Sequence, residues 1–400
     1  MTCGVLIGIP RTDYTLVESV IQARLRGVEI FLADQEAALA TCPDYLPVAG
    51  KIALSSLSLK AATQSLCRLA PQFVISFSEF NLVLAAQVRE RLGLPGLSVE
   101  VEERVRKKHH TRERLRDCGL SNVDFAIATF AQLREMASGF KLPFVIKPVD
   151  MTGSIGVYGV RSKRDIDHFR NAFVDLKREE TRQREFMIEA FIEGDEYSVE
   201  GICLKGHFHL LAVTRKYTNS FPNFAEIGHT LPATVSSDNL DYGTFIQAIV
   251  NALNIDTAPI HAEVKAKGDR IELVEIHTRF GGDYIPLLLE RAFGYKVFAM
   301  YYDALLYGTE PEKRNARVIS GIQFLERKDL SRLVRLPRQW EDITYSMTMK
   351  PPNTASVQES LDNIRILNSR VGHIIFDAPS HGRAEQFVDD LRIKQRASRV

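Results

Sequence analysis

The stretch 143-PFVIKPVDMTGSIGV-157 decides how the rest of the chain is read. Phe144, Val145 and Ile146 run straight into Lys147 and Pro148, and small residues follow up to Gly153, Ser154 and Gly156. A buried strand that ends on a lysine and opens into a glycine-rich loop suits an anion. Glycine permits positive φ and lets backbone N–H groups approach closely, and the ammonium adds a point charge. Here the lysine precedes the glycines, the reverse of the phosphate loop in which it follows them. Alone, the stretch reads equally as a hairpin turn with an incidental lysine, so the surrounding chain must decide.

Downstream lies 261-HAEVKAKGDRIELVEIH-277, with Gly268-Asp269 as its turn signal. A hairpin centred on Asp269 sets Glu263 opposite Glu275 and His261 opposite His277. Period-two alternation then gives one apolar face of Ala262, Val264, Ala266, Val274 and Ile276, and a second face with the acids and histidines. Like charges directly opposite destabilise a sheet by ~0.2–1 kcal/mol, and a divalent cation between them reverses that sign. A few hard oxygen ligands suit Mg²⁺, which shares substrate phosphates. The same glutamates also read as solvated, or as neutralised by Lys265 and Lys267. An anion loop, paired acids and further lysines are together what a nucleotide triphosphate with Mg²⁺ requires.

Upstream, GVLIGI (4–9), VEIFLAD (28–34) and QFVISFSE (72–79) alternate with the helical segments TLVESVIQARLRG and NLVLAAQVRERLG. That alternation predicts a small parallel sheet with helices on its faces, ending near residue 100. Residues 101–117 form a polar helical segment. The strands PFVIKP and YGVRS, a helix over 163–180, FMIEAFIEG and a hairpin over residues 205–206 follow. A helix is expected at 245–254. After about 315 the chain turns β-rich, with Pro351-Pro352 in a loop and a helix near 383–392. The fold class is therefore α/β (α+β).

Composition excludes several functions. With 51 Lys and Arg against 50 Asp and Glu, no bulk field draws nucleic acid or an anionic membrane. Nine of the thirteen residues 104–116 are basic, but no aromatic residue interleaves them. They read as a solvated helix, not a nucleic-acid stripe. Five scattered cysteines without a CxxC pair argue against disulfides and structural zinc, and for a reducing cytoplasm. No apolar run approaches a membrane span, and the N-terminus lacks the pattern of a signal peptide.

In motif order the chain resembles the ATP-grasp superfamily over roughly residues 1–320. RKKHHTRERLRDCGL looks like the family's linker segment, LPFVIKP like its second phosphate lysine and TGSIGV like its mobile glycine loop. IEAFIEGDEYSVEG looks like its adenine clamp, and EVKAKGDRIELVEIHTRFGGD like its metal hairpin. The resemblance implies an ATP-grasp fold in three parts: a Rossmann-like domain over 1–100, an ATP-grasp domain over 101–315 with a lid about 140–212, and a β-rich subdomain over 316–400. It implies that Lys108 and Lys147 meet phosphates and that Thr152, Gly153, Ser154 and Gly156 close over them. Glu189 with the backbone of Ala190, Phe191 and Ile192 would hold the adenine edge, and Glu196 the ribose. Glu263 and Glu275 match the metal ligands; His277 stands where the family has Asn, which leaves the third ligand open between a metal contact and a partner for Arg279.

Residues 214–233, TRKYTNSFPNFAEIGHTLPA, look like the corresponding part of L-amino-acid (dipeptide) ligases. On that match Glu226 and His229 meet the substrates, Arg279 holds a carboxylate or acyl-phosphate, and Lys216 reaches the γ-phosphate. The implied activity is ATP- and Mg²⁺-dependent joining of a carboxylate to an amine, with small-molecule substrates and no nucleic-acid or membrane partner. A homodimer is the default assembly. Purine-pathway or biotin-carboxylase-like enzymes and an inactive ATP-binding regulator are the alternatives; both lysine and glutamate sets being intact argues against the regulator.

Overall fold

The computed structural model describes residues 2–10, 13–174, 184–219, 221–234, 240–326, 340–349 and 370–396. Its first part is a four-stranded parallel sheet in the order β3 (Gly50–Ala53), β2 (Val28–Asp34), β1 (Thr2–Ile7), β4 (Phe73–Ile75). Val5, Leu6 and Ile7 are fully buried, as expected for a strand covered on both faces. The helices α1 (Asp13–Leu25), α2 (Glu36–Leu39), α3 (Leu59–Leu66) and α4 (Leu82–Leu92) complete it. The short strand β3 carries too few apolar residues to stand out in the sequence.

The polar segment after residue 98 forms two helices, not one: α5 (Val99–Arg106) and α6 (Lys108–Asp117). Lys107 separates them with an extended backbone. The break turns Lys108 into the first turn of α6.

A small antiparallel sheet follows, ordered β5 (Phe125–Thr129), β8 (Glu185–Ala190), β6 (Phe144–Pro148), β7 (Tyr158–Val160). Helices α7 (Leu133–Ser138) and α8 (Lys163–Val174) close its core around Phe144, Phe169 and Phe186. Its strands thus lie within 125–190, whereas 140–212 was expected for the lid.

The chain then builds an eight-stranded antiparallel sheet. The order is β13 (Arg270–His277), β12 (Ala258–Lys267), β9 (Asp195–Leu204), β10 (His207–Thr218), β11 (Glu226–Leu231), β14 (Ile319–Glu326), β16 (Arg370–Ala378), β15 (Thr344–Met349). The β-rich tail therefore extends the central sheet through the β11–β14 pairing. Helix α9 (Tyr242–Leu253) covers the back of β10. Helices α10 (Ile285–Phe293) and α11 (Val297–Tyr307) join the first sheet to this one through a shared core that includes Leu6, Val20, Phe280 and Tyr302. Helix α12 (His381–Arg396) ends the described chain. The loop expected at Pro351-Pro352 and the end of the helix expected over 163–180 lie outside the described residues. Among the described residues, no helix is long and apolar enough to cross a membrane.

The β12–β13 hairpin pairs His261 with His277 and Glu263 with Glu275, as its alternation predicts. Nearer the turn a bulge intervenes, so that Val264 faces Leu273 and Lys267 faces Arg270. The extra residue is Val274. Leu273, not Val274, enters the core, and Val274 lines the cleft on the other side. Strict alternation misplaces both Val274 and Leu273 because a bulge adds a residue to one strand only.

Candidate active site

Two cavities meet on the face of the large sheet that carries the paired glutamates. The first runs between the small sheet and the hairpin and is lined by Lys108, Lys147, Glu189 to Ile192, Glu196, Phe224, Lys265 and Val274. The second opens between the first domain and the hairpin and reaches from Pro10, Phe77 and Glu79 to Arg279, Asp283 and Arg370. Ser154, Glu263 and Glu275 line both.

Strand β6 delivers Lys147 into the first cavity, buried against Glu189 with 2.6 Å between Nζ and Oε2. Arg112 of α6 grips the other Glu189 oxygen through Nε at 2.9 Å and also reaches Glu272 at 2.9 Å. Burial pulls the Lys147 ammonium below its ordinary range despite the attraction of Glu189. The same burial would raise Glu189, but Lys147 and Arg112 hold it low. Glu189 is thus engaged by two cations. The amides of Ala190 and Phe191 donate to the carbonyls of Asp124 and Pro143, so they are engaged within the fold too. Glu196, on β9, carries a carboxyl that burial pushes up to about 7.

The glycine loop follows β6. Gly153, Ser154 and Gly156 all have left-handed backbones, at φ 68, 55 and 75°. Ser154 adopts this conformation without the freedom of glycine and donates its hydroxyl to the Phe224 carbonyl at 3.3 Å. Thr152, Gly153 and Ser154 line the second cavity; Gly156 lines neither.

At the junction the acids are matched by cations. Lys108 lies 3.0 Å from Glu275 and donates to the Met151 carbonyl at 2.5 Å. Burial alone would lower the Lys108 ammonium, but Glu275 raises it. Burial alone would raise Glu275; Lys108 and His277 hold it well below the usual carboxylate range. Lys216, buried on β10, bridges Glu263 and Glu226. It holds Glu263 at about 2 against the effect of burial.

Each glutamate of the pair also has a histidine beside it. Nε2 of His277 is 3.2 Å from Glu275, and its Nδ1 lies 2.9 Å from Glu79, off the line of a hydrogen bond. Nε2 of His261 is 3.4 Å from Glu263, and its Nδ1 is 2.9 Å from Glu200. The two rings stack with centroids 5.8 Å apart. Burial opposes protonation of His261, yet Glu200 lifts it to about 9. Among the described residues no group of three His, Cys, Asp or Glu is arranged to hold an ion alone. Two facing carboxylates fit a hard cation that brings phosphate oxygens with it.

In the second cavity, Arg279 donates from Nε to Glu79 at 2.7 Å and from Nη1 to the Phe280 carbonyl at 2.9 Å. Glu226 lines the wall, and burial raises its carboxyl despite Lys216. His229 does not reach either cavity, contrary to the expectation of substrate contact. It is fully buried, 3.0 Å from the Asp283 carbonyl, and burial lowers it to about 4. Lys216 is its partner across β10 and β11, and the His229 ring packs against Phe324 and the Asp283 carbonyl. Gly206 and Lys205, at the 205–206 turn, bond to Asp256 and Thr257 at the far end of β9.

Sequence reasoning missed Glu79, Arg112, Glu200, His261 as a partner of Glu263, Asp283 and Arg370. Arg370 on β16 reaches Asp283 at 2.9 Å and the Glu226 carbonyl at 2.7 Å, over the ring of Phe324. Asp283 and Tyr284 have consecutive left-handed backbones, at φ 49 and 66°. The available signals were a run of arginines on α6 and a histidine two residues from each glutamate, His261 before Glu263 and His277 after Glu275. No local pattern marks Glu79 or Arg370.

Comparison with known proteins adds the following. Residues 140–286 match the family model of an ATP-grasp domain. The alanine–anticapsin ligase of Bacillus subtilis is 23% identical over 258 residues, which are 59% of this chain and 54% of that protein. Dapdiamide A synthase of Enterobacter agglomerans is 23% identical over 289 residues, 70% of this chain and 65% of that one. The chain thus spans between half and two thirds of the length of these relatives. Among solved structures, the L-amino acid ligase from Bacillus licheniformis superposes with a TM-score of 0.77 at 20% identity, covering 98% of this chain and 97% of that one. An ADP complex of N5-carboxyaminoimidazole ribonucleotide synthetase follows at 0.72 and 15%, covering 99% and 97%. At these identities the likeness shows the fold.

Proposed function

We propose that this chain, whose residues 140–286 match an ATP-grasp domain, is a ligase that joins the carboxylate of one amino acid, or a related acid, to the amine of a second through an acyl-phosphate. The observation that carries this reading is the junction of the two cavities at Ser154, Glu263 and Glu275. A nucleotide in the first cavity with its terminal phosphate at the junction would present that phosphate to a carboxylate in the second.

The chemistry follows from phosphoryl transfer, in which positioning and charge neutralisation do most of the work. A carboxylate oxygen of the first substrate attacks the γ-phosphorus, the bond to the bridging oxygen breaks, and ADP leaves. The amine of the second substrate, neutral after losing its proton, attacks the acyl carbon and expels phosphate. Lys108 and Lys147 would turn from Glu275 and Glu189 toward the phosphates. Glu263 and Glu275 would hold Mg²⁺, which neutralises charge on the transferring oxygens. Arg279, oriented by Glu79, would hold the reacting carboxyl in a forked pair. Lys216, itself held by Glu226, fixes Glu263, Glu226 would line the amine side, and the loop at Gly153 and Ser154 would exclude water from the acyl-phosphate.

The test is phosphate release from Mg·ATP with pairs of amino acids, followed by mass spectrometry. The expected product has the summed mass of one pair less water, with ADP and phosphate in equal amounts. Release that depends on bicarbonate or formate and not on an amino acid would instead favour the carboxylase-like reading.

A further inference from the structure

Glu102 takes no part in the chemistry above, yet it is 3% exposed on the inner side of α5, with Val101 and Val105. A buried carboxyl needs a partner. One partner is Thr278, whose hydroxyl donates to Oε2 at 2.6 Å. The other is Arg89 of α4, at 3.4 Å from Oε1. Arg89 is itself committed to the carbonyls of Val74 at 3.0 Å and Leu97 at 2.8 Å, so its pairing with Glu102 is the longest of its contacts. Thr278 stands between His277 and Arg279. Glu79 meets those two flanking residues from the cleft side. The tripeptide His277-Thr278-Arg279 is therefore gripped at its ends by one glutamate and at its middle by another. Both glutamates come from the first domain or the linker.

We propose that Glu102 is a positioning residue that acts through Thr278. It sets the orientation of His277 and Arg279 relative to the junction and ties that orientation to the first domain through Arg89. The inference rests on the proposed ligase reading for its link to turnover, but the grip itself is independent of substrate identity. Thr278 supplies one proton and needs one acceptor. A glutamine at 102 retains a carbonyl acceptor in the same place; an alanine retains none. Valine at 278 removes the donor at equal volume, and serine restores it. The charged and titratable groups that face Glu102 are Arg89, Glu79 and Tyr301. Burial raises the Glu102 carboxyl to about 7, so its grip on Thr278 tightens as pH rises through neutrality.

The experiment compares Glu102→Ala, Glu102→Gln, Thr278→Val and Thr278→Ser in the full chain. Two readouts are taken: hydrogen–deuterium exchange of the peptide spanning 275–282, and phosphate release from Mg·ATP with an equimolar mixture of the protein amino acids. Glu102→Ala and Thr278→Val are expected to exchange faster in that peptide by about tenfold, with the cores of α9 and the small sheet unchanged, as for loss of one buried hydrogen bond. Both should lower kcat by a similar factor while the KM for ATP stays within about twofold. Glu102→Gln and Thr278→Ser should restore both readouts, and Glu102→Gln should flatten the pH profile near neutrality. Unchanged exchange in Glu102→Ala and Thr278→Val overturns the proposal. So does a loss in Glu102→Ala that Thr278→Val does not share. If the wild type releases no phosphate with any amino acid, the ligase reading fails and the exchange data still decide the grip.

Discussion

The two cavities differ in how far apart in sequence their walls were drawn. The nucleotide-side cavity is built from four short stretches, around residues 108, 145–157, 189–196 and 263–275, plus Phe224. Each stretch is a local motif with its own chemistry. The second cavity collects side chains from Pro10 to Arg370 through the first domain, the hairpin, the turn after it and the last strand of the sheet. On the proposed reading the first would hold a ligand of fixed shape, the nucleotide, and a fixed shape can be met by fixed spacings. The second would have to fit the substrates to be joined, and its walls come from elements whose proximity only the fold creates.

The largest expected effect lies at the residues both cavities share. Glu275→Gln removes a carboxylate at the junction and should lower ADP release by at least ~10³-fold with every substrate pair, as for loss of a charge-stabilising contact in the transition state. Release at the wild-type rate would remove the metal role from Glu275. Next, Arg279→Ala should break the second cavity alone. Ligation falls by about 10²-fold while ADP affinity, measured by calorimetry, changes less than about twofold. Equal loss of both would mean that the cavities are not separable in function.

A smaller effect sharpens the comparison. Arg370→Lys keeps the charge but loses the fork that spans Asp283 and the Glu226 carbonyl. The ratio of kcat/KM values between two amino-acid pairs should shift by about tenfold, with the KM for ATP unchanged. The smallest effect belongs to the nucleotide side. Burial disfavours the charged form of Glu196 and pushes its carboxyl up to about 7. A carboxylate accepts hydrogen bonds from ribose hydroxyls better than the neutral acid does. ATP affinity should therefore rise by about threefold as pH climbs from 6 to 8, and Glu196→Gln should show no such rise.

The same contrast explains what could be seen in the sequence. The order of strands and helices, the facing of Glu263 and Glu275, and the approach of Lys108 and Lys147 to one cleft follow from alternation and local motifs. Val274 could not be placed, because a bulge leaves no mark on an apolar run. His229 was placed at the substrate because its spacing from Glu226 fits a motif, yet its ring is buried against Phe324 and the Asp283 carbonyl. Glu79 and Arg370 are 291 positions apart and belong to no motif, and only the fold brings them to one wall.

The bulge has one more consequence. A strand of strict alternation offers each side a single kind of surface, oily or ionic. By doubling a step at Val274 and Glu275, the hairpin sets a greasy patch next to an acid on the same side, which matches a molecule with a flat ring at one end and a charged tail at the other. Removing Val274 would restore the regular weave, with Leu273 toward the helices and Glu275 still toward the cleft, and would take the greasy patch away from beside the acid. Shortening the turn at Gly268-Asp269 would leave that corner of the cleft as it stands.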